Sequence, residues 1–216
     1  MPNRDYHSER REYNFATLDK EQINADPFAQ FSQWMTFAHQ QEAIKDPTAM
    51  SISTVDVTGQ PHSRVVLLKE FSTDGFVFYT NYESAKASEL ISNTKAALLF
   101  FWPEMDRQIR IEGQITKIAA NKSKDYFLSR PRGSQLAALI SKQSQVVKDR
   151  QTLEQRLQTA EETYENQEIP APDNWGGYLL QANYFEFWQG RPNRLHDRFR
   201  YQKDSNGSWD INRLSP

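Results

Sequence analysis

Near the C-terminal end of the chain, Arg194, His196 and Arg198 alternate with Leu195, Asp197 and Phe199. In an extended segment, residues two apart share a face, so this spacing predicts an imidazole flanked by two permanent cations. Free imidazole titrates at about pH 6.5. Such a strip would bind an anionic, for instance phosphorylated, substrate and handle a proton near neutrality. A solvated basic edge strand accounts for the same alternation, and the segment alone leaves both readings open.

Other constellations point to phosphate. Tyr126 and Arg130, four apart on a predicted helix, share a face. Pro131 ends that helix, and Ser134 is expected to start the next with its hydroxyl and unpaired backbone N–H groups. Arginine forms charge-assisted forks with phosphate, and a helix N-terminus favours the same anion. A capping serine beside a surface arginine is the plainer alternative. Arg64 and Lys69 bracket Val65, Val66, Leu67 and Leu68; five positions apart, they fall on opposite faces of a regular strand unless a bulge re-aims one. Ser84-Ala85-Lys86, following Tyr79-Thr80, offers hydroxyls and a lysine at a helix start.

Composition narrows the function further. With 26 Lys+Arg, 28 Asp+Glu and a net charge of -2 over 216 residues, no global field would gather nucleic acid or an acidic membrane surface, so neither partner is expected. The absence of cysteine excludes thiolate nucleophiles and Cys-ligated metals. The four histidines, His7, His39, His62 and His196, are scattered, so no metal site is expected. Nucleotide-binding glycine loops, H-E-x-x-H and G-x-S-x-G are all missing from the sequence. No run approaches the ~20 apolar residues of a membrane span, and a cytoplasmic location is expected.

The elements that must position these residues can be read from periodicity. Residues 1–25 lack it and read as an arm; 26–216 read as a single domain. Asp26-Pro27 begins a helix whose Phe28, Phe31, Trp34, Met35 and Ala38 share a face. Strands are predicted at 50–56, 64–71 and 76–81 as a meander, then at 96–102, 108–118, 178–188, 194–202 and 209–214. Helices are predicted at 84–91, 122–130, 135–140 and 149–164. This pattern predicts an α+β, mostly β, antiparallel barrel with peripheral helices.

Taken in order, several segments resemble the pyridoxine (pyridoxamine) 5'-phosphate oxidase family. They are Arg10-Arg11-Glu12-Tyr13, Asp46 to Met50, Arg64 to Lys69, Phe78 to Asn81, Arg107-Gln108, Tyr126 with Ser129 to Arg132, Ser141 to Ser144, Trp175-Gly176-Gly177 and Glu186 to Phe199. The resemblance implies a Greek-key, FMN-binding split β-barrel, homodimeric, with two sites at the subunit interface. It implies an oxidase that converts pyridoxine and pyridoxamine 5'-phosphates to pyridoxal 5'-phosphate with O2, releasing H2O2 and, from the amine, NH3. Arg64, Val65, Val66, Leu67, Leu68, Lys69, Tyr79, Thr80, Lys86, Gln108, Gln143, Ser144, Trp188 and Arg198 would then hold FMN. Lys69, Tyr126, Arg130 and Ser134 would hold the substrate phosphate. Arg194 and His196 would lie over the pyridine ring, Arg10, Arg11 and Tyr13 would close over the substrate, and Asp46 matches a carboxylate near the site. Ala85 departs from the family's usual arginine, removing one cation beside the FMN phosphate. A phenazine-biosynthesis type FMN oxidase and a non-catalytic flavin- or pyridoxal-phosphate-binding module are the alternatives.

Overall fold

The computed structural model describes residues 5–216; residues 1–4, the beginning of the expected arm, lie outside the described residues. The chain forms two compact units, one of Met1–Ala49, Leu98–Ile111 and Asn183–Pro216, the other of Met50–Ala97 and Glu112–Ala182.

In the first unit, helix α1 (Pro27–His39) starts as its sequence dictates. Asp26 accepts hydrogen bonds from the backbone of Phe28 at 3.1 Å and Ala29 at 3.3 Å, and Pro27 occupies the first turn, where its missing N–H costs nothing. Phe28, Phe31, Trp34, Met35 and Ala38 are buried, as the spacing predicts. They face a core that includes Phe100, Phe185, Phe187, Phe199 and Tyr201, each essentially inaccessible. The arm is tied down from Arg11 onward by contacts described below.

In the second unit, β1 (Ala49–Val55) and β2 (Pro61–Leu67) form a hairpin, and β3 (Glu70–Ser72) pairs with β4 (Gly75–Asn81). The strand expected over 64–71 is therefore broken. Lys69 instead donates its backbone N–H to Val77 at 2.9 Å, and Leu68 turns inward to 6% exposure. Leu68 continues the inward parity of Arg64 and Val66, and the ladder is lost only after it, where Lys69 turns to β4.

The three early strands are also not a meander. With β5 (Lys95–Trp102), β6 (Arg107–Lys117) and β7 (Trp175–Gln189), the strand order is β2-β1-β5-β6-β7-β4-β3, and β8 (Asp197–Lys203) and β9 (Trp209–Arg213) extend from β7. The two early hairpins occupy opposite ends of this order, yet β2 comes against β4, so the sheet is curled. The neighbouring strands β3–β4, β4–β7, β7–β8 and β8–β9 run antiparallel. Backbone approach is tight where β6 meets β7: a Cβ on Gly113 would stand 2.1 Å from the carbonyl oxygen of Gln181.

Helix α2 (Ala85–Ser92) follows β4; α3 (Ala120–Ser129), α4 (Arg132–Ile140) and α5 (Arg150–Thr163) follow β6. Phe127, Leu136, Ala160 and Ile169 form a separate apolar cluster under these helices. The expected α+β, mostly β, antiparallel architecture with helices at the periphery is what the chain adopts. No helix among the described residues is long and apolar enough to cross a membrane.

Candidate active site

The second unit contains a cleft of about 620 Å³ that gathers four cations, Arg64, Lys69, Lys86 and Arg130. Arg64 and Lys69 share it because the chain breaks at Leu68, which removes the opposite-face parity of an uninterrupted strand. Val65, Val66 and Leu67 also line the cleft, whereas Leu68 is buried and is not among the lining residues.

At one end, a hydrogen-bonded net fixes two of the cations. The Lys86 ammonium donates to Thr80 Oγ1 and Gln143 Oε1, both at 3.0 Å, and Thr80 donates to Gln143 at 2.9 Å. Ser144, which also lines the cleft, takes the left-handed conformation (φ 71°). Burial, and secondarily the Arg64 charge, push the Lys86 ammonium below its ordinary range; a bound anion would oppose both effects. Arg64 is held by Glu89 at 2.8 Å and by the Thr54 hydroxyl. Burial works against ionisation of Glu89, but hydrogen bonds from Thr54 and Arg64 prevail and hold the carboxyl below its usual value.

The other end carries an aromatic stack. The rings of Tyr79 and Tyr126 lie 3.9 Å apart at 23°, and Trp175 lies 5.4 Å from Tyr79 at 14°. The Arg130 guanidinium sits 4.6 Å above Trp175. Its Nη1 is buried without a hydrogen-bond partner, and burial lowers its pKa. Burial also raises Tyr126 and pushes Tyr79 up to about 12, so both phenols remain neutral donors. Ser134 lines this end, but α4 begins at Arg132 with Pro131 as its cap residue. Ser134 therefore lies within the first turn instead of starting the helix.

The remaining expected residues belong to the first unit. Pro192–Arg194 form a single 3-10 turn in which Asn193 and Arg194 have φ of 56° and 61°, and β8 begins only at Asp197. The alternation of Arg194, His196 and Arg198 on one strand face is thus not realised, because Pro192 nucleates a turn. Arg194 is exposed. His196 accepts the Arg191 backbone N–H at Nδ1, 3.1 Å away; its ring is 4.7 Å from Trp188 and edge-on to Tyr13 at 5.4 Å. Burial and then the Arg194 charge lower the His196 pKa below 6.5, with Asp197 opposing them. Arg198 pairs with Glu186 at 2.8 Å and donates to the Ser215 carbonyl at 2.7 Å; Arg110 reaches the same Glu186 at 3.1 Å.

Gln108 is half-buried on β6, and Arg10 is exposed. Arg11 is engaged by Asp106 at 2.5 Å. Asp46 is exposed and accepts a hydrogen bond from the Thr48 hydroxyl at 2.8 Å; it serves a turn before β1 and does not line the cleft. The residues missed from sequence are the acids that hold the expected arginines: Glu89, Glu186 and Asp106. Each is buried; Glu186, between Phe185 and Phe187, was the one set in an apolar run.

A curled, mostly β sheet with helices that complete a cleft of stacked aromatic rings and four cations has the chemistry to take flat, anionic ligands. Among the described residues no group of three or more His, Cys, Asp or Glu could hold a metal. Residues 36–164 match the family model for pyridoxamine 5'-phosphate oxidase, and 175–216 match that for the pyridoxine 5'-phosphate oxidase C-terminal dimerisation region. The chain belongs to the pyridoxamine 5'-phosphate oxidase family. It is 57% identical to the pyridoxine/pyridoxamine 5'-phosphate oxidase 1 of Hydrogenovibrio crunogenus over the whole of both chains. Identity to the pyridoxine/pyridoxamine 5'-phosphate oxidase of Acaryochloris marina is 49%, covering 96% of this chain and 94% of that one. The crystal structure of PhzG from Burkholderia lata 383 in complex with tetrahydrophenazine-1-carboxylic acid has a TM-score of 0.85 at 26% identity, covering 91% of this chain and 95% of that one.

Proposed function

We propose that this chain is an FMN-dependent oxidase that converts pyridoxine 5'-phosphate and pyridoxamine 5'-phosphate to pyridoxal 5'-phosphate with O2, acting as a homodimer. The observation that supports the reading is that four cations, with hydroxyl and amide side chains beside them, line one cleft. Arg64, Lys86, Thr80, Gln143 and Ser144 would hold the FMN phosphate, and Lys69, Tyr126, Arg130 and Ser134 the substrate phosphate. The donor set fits phosphorylated ligands: Arg130 has a buried N–H without a partner, and Lys86 is a desolvated cation. FMN, when bound by these groups, would supply the redox chemistry of the oxidation by O2.

The protein's own share is orientation. Gripping the phosphate spends binding energy on holding the pyridine ring in one pose. Arg194 favours the anionic phenolate form of the substrate. His196, whose Nδ1 is occupied by a backbone donor and whose pKa is lowered, is a neutral imidazole at pH 7 that offers an Nε2–H. In the homodimer, Trp188, Arg198 and Gln108 would add further FMN contacts. A dimer is supported by the match of 175–216 to a dimerisation region and by the edge strand β2, where Val65 is 69% exposed.

The test is to purify the protein, examine it for bound FMN, and measure O2-dependent formation of pyridoxal 5'-phosphate from each substrate. FMN binding without turnover would refute the oxidase reading and leave a flavin-binding module. Turnover of a phenazine-type acid in preference to both vitamers would assign it to the other branch, an outcome opposed by the Lys69, Tyr126, Arg130 and Ser134 set.

A further inference from the structure

We propose that Asp106 is a positioning residue, which sets Tyr13 against His196 by holding the N-terminal arm and the turn before His196 from one point. Its substrate-level consequence rests on the oxidase reading above; its structural consequence does not.

Asp106 is 4% exposed and ends a 3-10 turn in the left-handed conformation, at φ 51° and ψ 37°. That conformation is uncommon outside glycine, asparagine and aspartate. Its carboxylate gathers three donors from the arm. Arg11 reaches Oδ1 at 2.5 Å, and the backbone N–H groups of Asn14 and Phe15 reach Oδ2 at 3.1 and 3.2 Å. The backbone carbonyl of the same residue faces the opposite partner: it accepts the Gly190 N–H at 2.7 Å and the Gln189 side-chain amide at 3.2 Å. Gly190 leads directly into Arg191, whose N–H holds His196 Nδ1.

Tyr13 lies between these two sets of bonds. Its ring stands edge-on to Trp188 at 5.6 Å and to His196 at 5.4 Å. A Cβ on Gly190 would come within 2.8 Å of three Tyr13 side-chain atoms, so the tyrosine packs directly onto backbone. Next to it, Phe15 and Trp34 pack on the Arg107 guanidinium, at 5.7 and 4.4 Å. A buried carboxylate with three donors on one side and a carbonyl with two on the other fixes both halves of the Tyr13–His196 contact relative to one Cα. Losing the charge frees the arm without touching His196 itself.

The variant Asp106→Asn tests this in the full-length holoenzyme, since asparagine tolerates the left-handed backbone. It keeps an acceptor but loses the ion pair and turns an N–H toward donors. The expected result is FMN retained, KM for pyridoxine 5'-phosphate raised about tenfold, as for loss of one charge-assisted bond, and faster tryptic cleavage at Arg10, Arg11 and Lys20. Adding Tyr13→Ala to Asp106→Asn should change KM little beyond either single substitution. Multiplicative effects, or an unchanged KM despite faster cleavage, would overturn the proposal. If Asp106→Asn does not fold, Arg11→Gln, at a half-exposed side chain, removes the same ion pair and should speed tryptic cleavage at Lys20, and an unchanged rate there would again overturn it. Absence of turnover in the unsubstituted protein would defeat the oxidase reading alone, and cleavage rates would still judge whether Asp106 holds the arm.

Discussion

Replacing Arg130 by methionine separates binding from stability at a single position. In the free protein the guanidinium has a buried Nη1 without a partner, a defect costing about 1–3 kcal/mol. Its offsetting gain is the contact with Trp175 at 4.6 Å, worth about 0.5–2 kcal/mol. Methionine preserves much of the packing against the indole and has no N–H to leave stranded. The two changes nearly cancel, and the ligand-free Tm should move by no more than about 4 °C. Binding behaves differently. A charge-assisted bond to phosphate contributes about 1.5–3 kcal/mol, and about 1.4 kcal/mol is a factor of ten. KM for pyridoxamine 5'-phosphate should therefore rise between about 10-fold and 150-fold. Because phosphate binding energy also orients the ring, kcat should fall as well. The assay pairs steady-state kinetics with thermal melts, with and without inorganic phosphate, which should protect the parent protein more than the variant. A variant with parental KM and a collapsed ligand-free Tm would show that Arg130 is a structural residue and that the phosphate is held elsewhere.

Four further substitutions probe other parts of the molecule. Ala85→Arg places a cation at the exposed first position of α2, beside Lys86. FMN should bind about tenfold tighter in fluorescence titrations of the flavin-free protein, while that form loses about 0.3–1 kcal/mol because a cation at a helix N-terminus opposes the dipole; unchanged or weaker FMN binding would refute the phosphate role. Arg194→Ala should lower kcat/KM strongly while the protein stays yellow, and near-normal turnover would remove Arg194 from the site. The same variant tests the His196 environment by NMR titration of the ring. Protonation adds charge to a half-buried ring beside Arg194, so the parent titrates below 6.5; without Arg194 the midpoint should rise toward, but not reach, that value, since burial is the larger cause, and a static or falling midpoint would contradict the assignment. His196→Asn should leave FMN binding unchanged and depress kcat, whereas loss of flavin would place His196 in the cofactor's grip. Gly113→Ala should destabilise by about 1–3 kcal/mol in denaturant melts, because its Cβ would meet the Gln181 carbonyl at 2.1 Å; parental stability would mean that β6 and β7 can separate there.

Periodicity made the elements legible wherever one face is buried. The α1 stripe from Phe28 to Ala38 and the alternation of Ile109 and Ile111 on β6 announce themselves because hydrophobic spacing and packing coincide. Strand order did not, since it depends on pairings such as β4 with β7, roughly a hundred residues apart, that leave no local trace. The break at Leu68 was hidden for a related reason: an apolar run looks alike whether its residues alternate or kink. The cleft's cations were visible as separate motifs, but their convergence on one cleft was not legible from spacing. Least visible were Glu89, Glu186 and Asp106, since an acid reads as surface until its arginine is known; Arg64 and Glu89, for example, lie 25 positions apart.

The Tyr79–Tyr126–Trp175 wall also makes the cleft its own optical gauge. Trp175 opens β7 and lies under the Arg130 cation, so its emission should respond to whatever neutralises or displaces that guanidinium. A flavin lodged in the same cleft would quench it by energy transfer. Occupancy by phosphate and by cofactor would thus write two separable signatures on this indole, one of five in the chain, readable in real time without a dye once the other four are replaced by phenylalanine.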